Sequence, residues 1–319
     1  MPLHSLPGRQ VIMIAIAIRA IKWTFPLIPY KRINKSNVSS TYSQILLDAS
    51  DLSLNFRGVG WSWCLSNIPK ESRPFLTFFL HNSVSSLFHF VLLDVAHRSV
   101  QLLGQDTIDS VVGCSIFDPS LPPLHRYFCS TLITFMLGFM IYCSMHAMYQ
   151  IIALFSVIFL CHSPSQWPPL FDRPWLATSL SQFWSRRWHQ LFTDTFVSFG
   201  GDPLALLMGR VGRVLGAFFV SGVLHAVGML GLGQGGDSLR VIGFFMIMAF
   251  GILLEYSWKF FTGSRVDGFF GRVWTFVWLL GWGHILVDAY ATKGSVHSFR
   301  FLADGYRPSD YILSKWIKS

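Results

Sequence analysis

The feature that most constrains the fold is a long segment without a single charged side chain. Between Arg126 and Asp172 the chain contains no Lys, Arg, Asp or Glu. A transmembrane helix needs about 20 consecutive, mostly apolar residues, and this segment is much longer than that. Its first part, residues 128–161, therefore predicts either one long tilted helix or a span followed by a buried segment, with a break between Ser144 and Gln150.

The composition extends this conclusion to the whole chain. Only 13% of the residues are charged and 52% are hydrophobic, whereas a soluble domain has about 25% charged residues. So few charges cannot cover a soluble globule, and disordered chains are poor in apolar residues. The net charge of +9 comes from basic residues placed between apolar runs, so it does not indicate nucleic-acid binding. We expect a polytopic integral membrane protein.

Further apolar runs of spanning length predict the architecture. No segment of about ten residues alternates as a membrane β-barrel strand does. The expected fold class is all-α: a polytopic transmembrane helical bundle of about six to seven spans, in a single domain over residues 1–319. Residues 1–49 are an N-terminal segment without a clear assignment; no cleavable signal-peptide pattern opens it, so its run is expected to be retained. The runs are residues 11–30, 74–93, 128–161, 214–232, 241–258 and 273–291.

The basic residues predict the orientation. They concentrate in residues 31–73, 162–213 and 259–272, and the alternate connections carry few. Because cytoplasmic loops of membrane proteins are enriched in Lys and Arg, these three segments are expected in the cytosol. The C-terminal tail is an exception, since it carries Arg300 and Arg307 among other basic residues on the expected far side.

An aromatic and basic segment, SLSQFWSRRWHQLF at residues 179–192, separates two apolar runs. Read as a helix, it places Trp184 and Trp188 on one face and Arg187 elsewhere. Such a segment is typical of an interfacial helix, with rings at the headgroup boundary and guanidinium groups towards water. The alternative is that Arg186 and Arg187 bind phosphate and that His189 turns into a cavity.

His225 lies within an uncharged run, 12 residues after Arg213. A helix rises 1.5 Å per residue, so this histidine is expected roughly 18 Å along the span, near the middle of the bilayer. Ionisable groups at that depth usually face a protein interior or a water-filled cavity. A neutral imidazole there suits a general base, although a structural histidine bonded to a neighbouring helix is the alternative.

Other polar residues within the apolar runs leave a transporter or scaffold open as an alternative. Glu255, His284 and Asp288 could form a proton relay, and Asp94 lies one turn from His97. Helix-end pairs that satisfy each other are the simpler interpretation. The five cysteines show no CxxC spacing, and clusters typical of metal sites are absent from the sequence, so no metal is expected.

Taken together, the motifs resemble the wax-synthase-like branch of the membrane-bound O-acyltransferases, in particular fungal natural-product acetyltransferases. The resemblance is carried by WPPLF, FWSRRWH and, 36 positions after His189, SGVLH; RGVGW at residues 57–61 resembles an element of fungal members. The family-like core covers residues 50–290.

The resemblance implies a function. The enzyme would transfer an acyl group, expected to be acetyl, from acyl-CoA to a hydroxyl of a lipophilic acceptor such as a terpenoid or meroterpenoid, in the endoplasmic reticulum membrane. His225 and His189 would be catalytic, and no bound cofactor is implied. Acyl-CoA would be the co-substrate, held by Arg186, Arg187, Trp184 and Trp188. Wax-ester synthesis from long-chain acyl-CoA and a fatty alcohol is the alternative within the same branch.

Overall fold

The structure is a computed structural model, and it confirms a helical membrane bundle. The predicted run at residues 11–30 lies outside the residues that it describes. Those residues form helices and no β-strand. The structure describes residues 57–64, 68–230, 236–303 and 305–312, together with the isolated positions 48, 51 and 55.

Five long helices make up most of the described chain, and three short ones lie between or after them. The long helices are α1 (Phe75–Leu103), α2 (Pro123–Phe159), α5 (Asp202–Leu230), α6 (Ser238–Thr262) and α7 (Gly268–Ala291). The short helices are α3 (Leu180–Gln182), α4 (Thr193–Phe196) and α8 (Pro308–Ile312).

The long uncharged segment forms α2, a single helix of 37 residues. No break interrupts it between Ser144 and Gln150, so the first of the two predicted alternatives is confirmed. At 1.5 Å per residue α2 is about 55 Å long, well beyond a hydrocarbon core of about 30 Å. It ends at Phe159 with Leu160 as its C-cap, and the next residue, Cys161, has a positive φ of 55° that turns the chain out of the helix.

The outer surface of the bundle is apolar. By length and composition, five helical segments of the described chain can cross a membrane. Large apolar side chains stand outward on them: Val84 is 68% exposed, Phe260 83%, Phe270 85% and Leu206 88%. A soluble protein rarely exposes so extensive an apolar surface. These helices account for the predicted runs after residue 73.

One of these five segments, Thr193–Leu230, folds back on itself. A π-helical turn, Val197–Gly201, joins α4 to α5, and α5 reverses at Gly209, whose φ of 57° and ψ of −136° suit only glycine. The two arms then touch: a Cβ on Gly216 would lie 2.0 Å from the carbonyl oxygen of Gly200. The sequence placed residues 193–213 in a loop; the structure instead makes most of them the first arm of a helical hairpin.

Two large apolar clusters, with a small third one around Phe78, form the interior of the described chain. The first lies between α1 and α2 and includes Leu93, Met140 and Phe171. The second joins α5, α6 and α7 and includes Met229 and Phe245. Helices α2 and α7 contact each other and so connect the two large clusters, which form two separately packed cores. The segment between α3 and α4 lies between these two cores.

The C-terminal segment is fastened to α1 by a buried arginine. Arg307 is 1% exposed, and its Nε donates to Asp94 Oδ1 at 2.7 Å while one terminal nitrogen donates to His97 Nδ1 at 2.9 Å. The expectation that Asp94 and His97 form a self-sufficient pair is therefore wrong. Arg307 is an ion-pair partner of α1 and not a free charge in a loop. It is therefore no longer an exception to the distribution of basic residues that the sequence analysis describes.

Candidate active site

An arginine of the RGVGW motif holds the proline-rich turn in front of the site. Arg57 is 4% exposed, and its two terminal nitrogens donate to the carbonyl oxygens of Pro168 and Pro169, both at 2.9 Å. Tyr149 on α2 donates to the same Pro168 oxygen at 2.7 Å. The turn is thereby fixed to α2, and it delivers Phe171 to the interior.

The aromatic and basic segment begins at a helix end that is capped from another helix. The Ser179 hydroxyl accepts from Gln182 N at 3.0 Å. Glu255 of α6 accepts from the backbone N–H groups of Leu180 and Ser181 at 2.6 and 3.0 Å. A carboxylate at a helix N-terminus satisfies unpaired donors and the helix dipole. Glu255 therefore fixes where α3 begins.

The helix is shorter than predicted, and its tryptophans turn inward. After α3, a π-helical turn covers Phe183–Arg187 and ends at Trp188, whose ψ of 163° is extended. Trp184 packs 5.9 Å from Phe218 between ring centroids, and Trp188 lies 5.0 Å from Phe171. Residues 179–192 are thus not one interfacial helix, and these two rings contact the two cores, not the headgroup boundary. The sequence could not show this, because the partner rings lie on α5 and before α3.

The two arginines differ in their surroundings. Arg187 donates from Nε to Gln182 Oε1 at 2.9 Å and from a terminal nitrogen to the carbonyl oxygen of Asp172 at 3.0 Å. Its guanidinium group fastens the turn before α3 to the π-helical turn. The side chain of Arg186 is 56% exposed and forms an ion pair with Asp172 at 3.2 Å. Arg186 is therefore the one of the pair whose guanidinium group faces outward.

His189 follows directly after the helix and lies against two aromatic rings. Its ring centroid is 6.2 Å from Phe171 and 5.8 Å from Trp188, and its Nδ1 is buried without a hydrogen-bonding partner in the described part of the chain. Burial lowers the pKa of His189 to about 3, with smaller contributions in the same direction from His225 and Arg57. The imidazole is therefore neutral at physiological pH.

His225 is held in one tautomer by its own helix. Its Nδ1 lies 2.8 Å from the carbonyl oxygen of Ser221. Since a carbonyl oxygen only accepts, Nδ1 carries the hydrogen and Nε2 keeps its lone pair. Phe245 of α6 packs on the ring at 4.4 Å, and Tyr290 of α7 donates to the His225 carbonyl oxygen at 2.8 Å. Three helices thus fix the position of this imidazole.

The two histidines approach the same region from different elements. Ring contacts run from His189 through Trp188, Trp184 and Phe245 to His225, at centroid distances between 4.4 and 6.4 Å. His225 is also close enough to lower the pKa of His189. The arrangement brings two imidazoles to a largely aromatic region between the two cores.

The residues considered for a proton relay have other partners. Asp288 accepts from Ser115 Oγ at 2.7 Å and from Arg240 at 3.0 Å. His284 lies 3.1 Å from Thr131 Oγ1, between Nε2 and the hydroxyl oxygen. The expectation that His284 and Asp288 satisfy each other is wrong, since each bonds to a different part of the chain. Glu255 is likewise occupied as the cap of α3, so these residues serve the fold.

Sequence reasoning missed two contributors to the site. In the sequence, Arg57 is only one residue of the RGVGW motif, and Glu255 is interpreted as a polar residue at a helix end. Both act on backbone groups more than 70 positions away in the chain. A buried charge inside an apolar chain was the available signal, because such a charge needs a partner.

The fold defines a helical integral membrane protein in which two histidines converge between two apolar cores. Residues 167–247, which carry both of them, match the model of the membrane bound O-acyl transferase family. The resemblance to the membrane-bound O-acyltransferases that the motifs carry is therefore confirmed.

Its relatives include fungal and plant proteins. The acetyltransferase eriL of Hericium erinaceus is 30% identical over 227 residues, which cover 66% of this chain and 56% of eriL. The acetyltransferase pyr8 of Aspergillus fumigatus is 25% identical over 270 residues, covering 72% and 60%. The long-chain-alcohol O-fatty-acyltransferase of Simmondsia chinensis is 36% identical over 87 residues, 25% of each chain. The chain therefore spans less than two thirds of the length of these relatives.

Proposed function

We propose that the protein is an acyl-CoA-dependent O-acyltransferase that moves an acetyl group to a hydroxyl of a lipophilic acceptor, such as a terpenoid or meroterpenoid, in secondary-metabolite biosynthesis. One observation carries the proposal: Nδ1 of His225 is bound to a carbonyl oxygen, which leaves an unprotonated Nε2 on a ring that borders the same aromatic region as His189. A base and a second polar group among apolar rings are what acyl transfer from a thioester to the hydroxyl of a lipophilic acceptor requires.

In the proposed reaction His225 is the general base. Its Nε2 accepts the proton of the acceptor hydroxyl as the oxygen attacks the thioester carbonyl carbon. The carbon–sulfur bond then breaks, and the coenzyme A thiolate leaves and takes up the proton from His225. No covalent acyl-enzyme is needed, because the thiolate is already a good leaving group.

His189 is proposed to stabilise the charge that develops on the carbonyl oxygen. A neutral imidazole has one N–H, and it can donate a hydrogen bond to that oxygen. The pKa of about 3 supports this role, because it keeps the ring neutral through the reaction. Burial strengthens such a bond, since the surrounding rings exclude water.

The acetyl donor and the acceptor class are proposed from the relatives. Several matching proteins carry the name acetyltransferase, among them eriL and pyr8. The long-chain-alcohol O-fatty-acyltransferase of Simmondsia chinensis supports transfer of a fatty acyl group as the alternative, and an acyl-CoA–sterol O-acyltransferase of Arabidopsis thaliana supports a polycyclic alcohol as the acceptor. Together with these substrates we propose a location in the endoplasmic reticulum, because the lipophilic acceptor partitions into that membrane and acyl-CoA reaches it.

An assay with two donors tests the function. Membranes carrying this chain are incubated with labelled acetyl-CoA or palmitoyl-CoA, each with a panel of terpenoid, steroid and fatty alcohols, and His225→Ala membranes serve as the control. We expect acetyl esters of polycyclic alcohols from the unmodified protein alone. Palmitoyl esters of fatty alcohols would select wax-ester synthesis instead, and no ester from either donor would contradict the O-acyltransferase assignment.

Coenzyme A phosphates are proposed to bind at Arg186, with Trp184 and Trp188 lining the path inward. A hydrogen bond to a charged group contributes about 1.5–3 kcal/mol, so Arg186→Gln should raise the KM for acyl-CoA by at least about tenfold, with the KM for the alcohol unchanged. Lysine should restore only part of the affinity, because it lacks the paired donors of arginine.

The neighbouring arginine supplies the matched control for this measurement. Arg187→Gln removes bonds within the protein and should lower the amount of folded protein, with a smaller effect on KM. Loss of Arg186→Gln from the membrane fraction at an unchanged KM would favour an interfacial role instead of phosphate binding.

A further inference from the structure

A second cluster of polar side chains lies between α1 and α2, away from the proposed catalytic pair. It consists of Ser85 and His89 on α1 and of His146 and Gln150 on α2, and each pair is four residues apart and so shares a helix face. The rings of His89 and His146 lie 4.2 Å apart between centroids, and Gln150 Nε2 donates to Ser85 Oγ at 2.8 Å. The proposed reaction uses none of these four residues.

Two buried atoms of this cluster have no hydrogen-bonding partner among the residues that the structure describes. They are Nδ1 of His146 and Oε1 of Gln150, and Gln150 is only 3% exposed. His89, by contrast, bonds through Nδ1 to the backbone oxygen of Ser85 at 2.7 Å. Leaving buried polar atoms unpaired costs free energy, so both atoms favour a bound group that can donate and accept.

A hydroxyl group fits this demand. It has one hydrogen to donate to Oε1 of Gln150, and its oxygen can accept from Nδ1–H of His146. A carbonyl oxygen would satisfy His146 but not Gln150, because both the carbonyl and Oε1 are acceptors. A charged group would lack an Asp, Glu, Lys or Arg counterion among these four side chains.

Phe171 connects the cluster with the proposed catalytic site. Its ring lies 5.9 Å from His146 and 6.2 Å from His189 between centroids. Tyr142 packs on the same ring at 4.7 Å. A ligand that reached from His189 to His146 would therefore lie over aromatic rings and meet a polar side chain at each end. A fused-ring alcohol with a second hydroxyl has the matching arrangement of an apolar body and two polar ends.

We propose that His146 and Gln150 form a specificity subsite that binds a second hydroxyl of the acceptor, remote from the hydroxyl that is acylated. Ser85 and His89 hold this subsite from α1 by fixing the amide of Gln150 and the ring of His146. The proposal rests on the proposed function, and it narrows the acceptor to a diol with a rigid apolar body.

Two steroid alcohols that differ in one hydroxyl test the subsite. The ratio of kcat/KM for androstanediol over androstanol is measured in the unmodified protein, His146→Phe and Gln150→Leu. We expect a ratio of about tenfold in the unmodified protein, the usual worth of a buried hydrogen bond, and a ratio near one in both variants. Because each ratio comes from one preparation, partial loss of folded protein cancels out.

A histidine elsewhere in the membrane and a binding measurement complete the test. His284→Gln should keep the ratio of the unmodified protein, since His284 bonds to Thr131, about 22 Å from His146 along α2 at 1.5 Å per residue. Thermal stabilisation by androstanediol beyond that by androstanol, lost in both variants, supports the subsite even if no ester forms, in which case only the proposed function fails. Ester formation without discrimination between the alcohols, or discrimination that both variants retain, overturns the subsite.

Discussion

Replacing His225 with alanine is expected to lower kcat by roughly 10²–10⁴, the usual worth of a positioned proton acceptor. The imidazole is held by Ser221 O through Nδ1 and by the packed ring of Phe245, so Nε2 has a defined position. The KM for acyl-CoA should change little, because the base acts on the alcohol in the transition state. Initial rates at saturating acetyl-CoA, normalised to the amount of protein in the membrane, measure the effect.

The substitution His225→Gln separates a catalytic from a structural histidine. Glutamine keeps similar bulk and can still donate to Ser221 O, but it cannot accept a proton at neutral pH. His284→Gln is the matched control, since His284 lies within a span and bonds to a neighbouring helix but lies outside the site. If the His225→Gln protein turned over at nearly the rate of the unmodified protein, the assignment of His225 as the general base would be wrong.

The second histidine extends the same experiment. His189→Ala should also lower kcat, because the developing carbonyl charge loses a donor. If His189 and His225 act on the same transition state, the double variant should lose less than the sum of the two single effects in free energy. Strict additivity would indicate that the two residues act independently.

The substitution Arg307→Met is expected to lower the free energy of unfolding by about 3–5 kcal/mol, the cost of removing one partner of a buried ion pair. Arg307 is 1% exposed and bonds Asp94, His97 and Gln101 of α1. Its loss leaves the carboxylate of Asp94 buried without its cation. Detergent denaturation in mixed micelles, followed by tryptophan fluorescence, measures the change.

Two further variants control this measurement. Arg300 lies 3.7 Å from Asp109 and is 31% exposed, so Arg300→Met should cost at most about 1 kcal/mol. Combining Asp94→Leu with Arg307→Met should recover much of the stability, because no unpaired charge then remains buried. An Arg307→Met protein as stable as the Arg300→Met protein would show that the ion pair does not hold the C-terminal segment.

The helices could be predicted from the sequence because the bilayer demands them. Without water in the hydrocarbon core, each backbone group must bond within its own helix, and a run of about 20 apolar residues is the visible result. The predicted runs at 74–93, 241–258 and 273–291 accordingly lie in α1, α6 and α7. The sequence does not predict the reversal at Gly209, because this glycine lies in residues 162–213, which the basic residues indicate as a connecting segment, and a glycine does not by itself indicate a positive φ.

The sequence by itself determined the membrane class, the helical architecture and the resemblance to a family, since each depends on local apolar length or on motifs read along the chain. It also singled out His189 and His225 as candidates. Only the tertiary structure decided that Trp184 and Trp188 face the two cores. It also decided that the backbone of a turn is held by Arg187 and not by Arg186. Three buried charged side chains were likewise found to hold segments that are distant in the chain: Arg57, Glu255 and Arg307. The physical reason is that a buried charge or ring is stabilised by whatever lies beside it in space, and here those partners are far away in the chain.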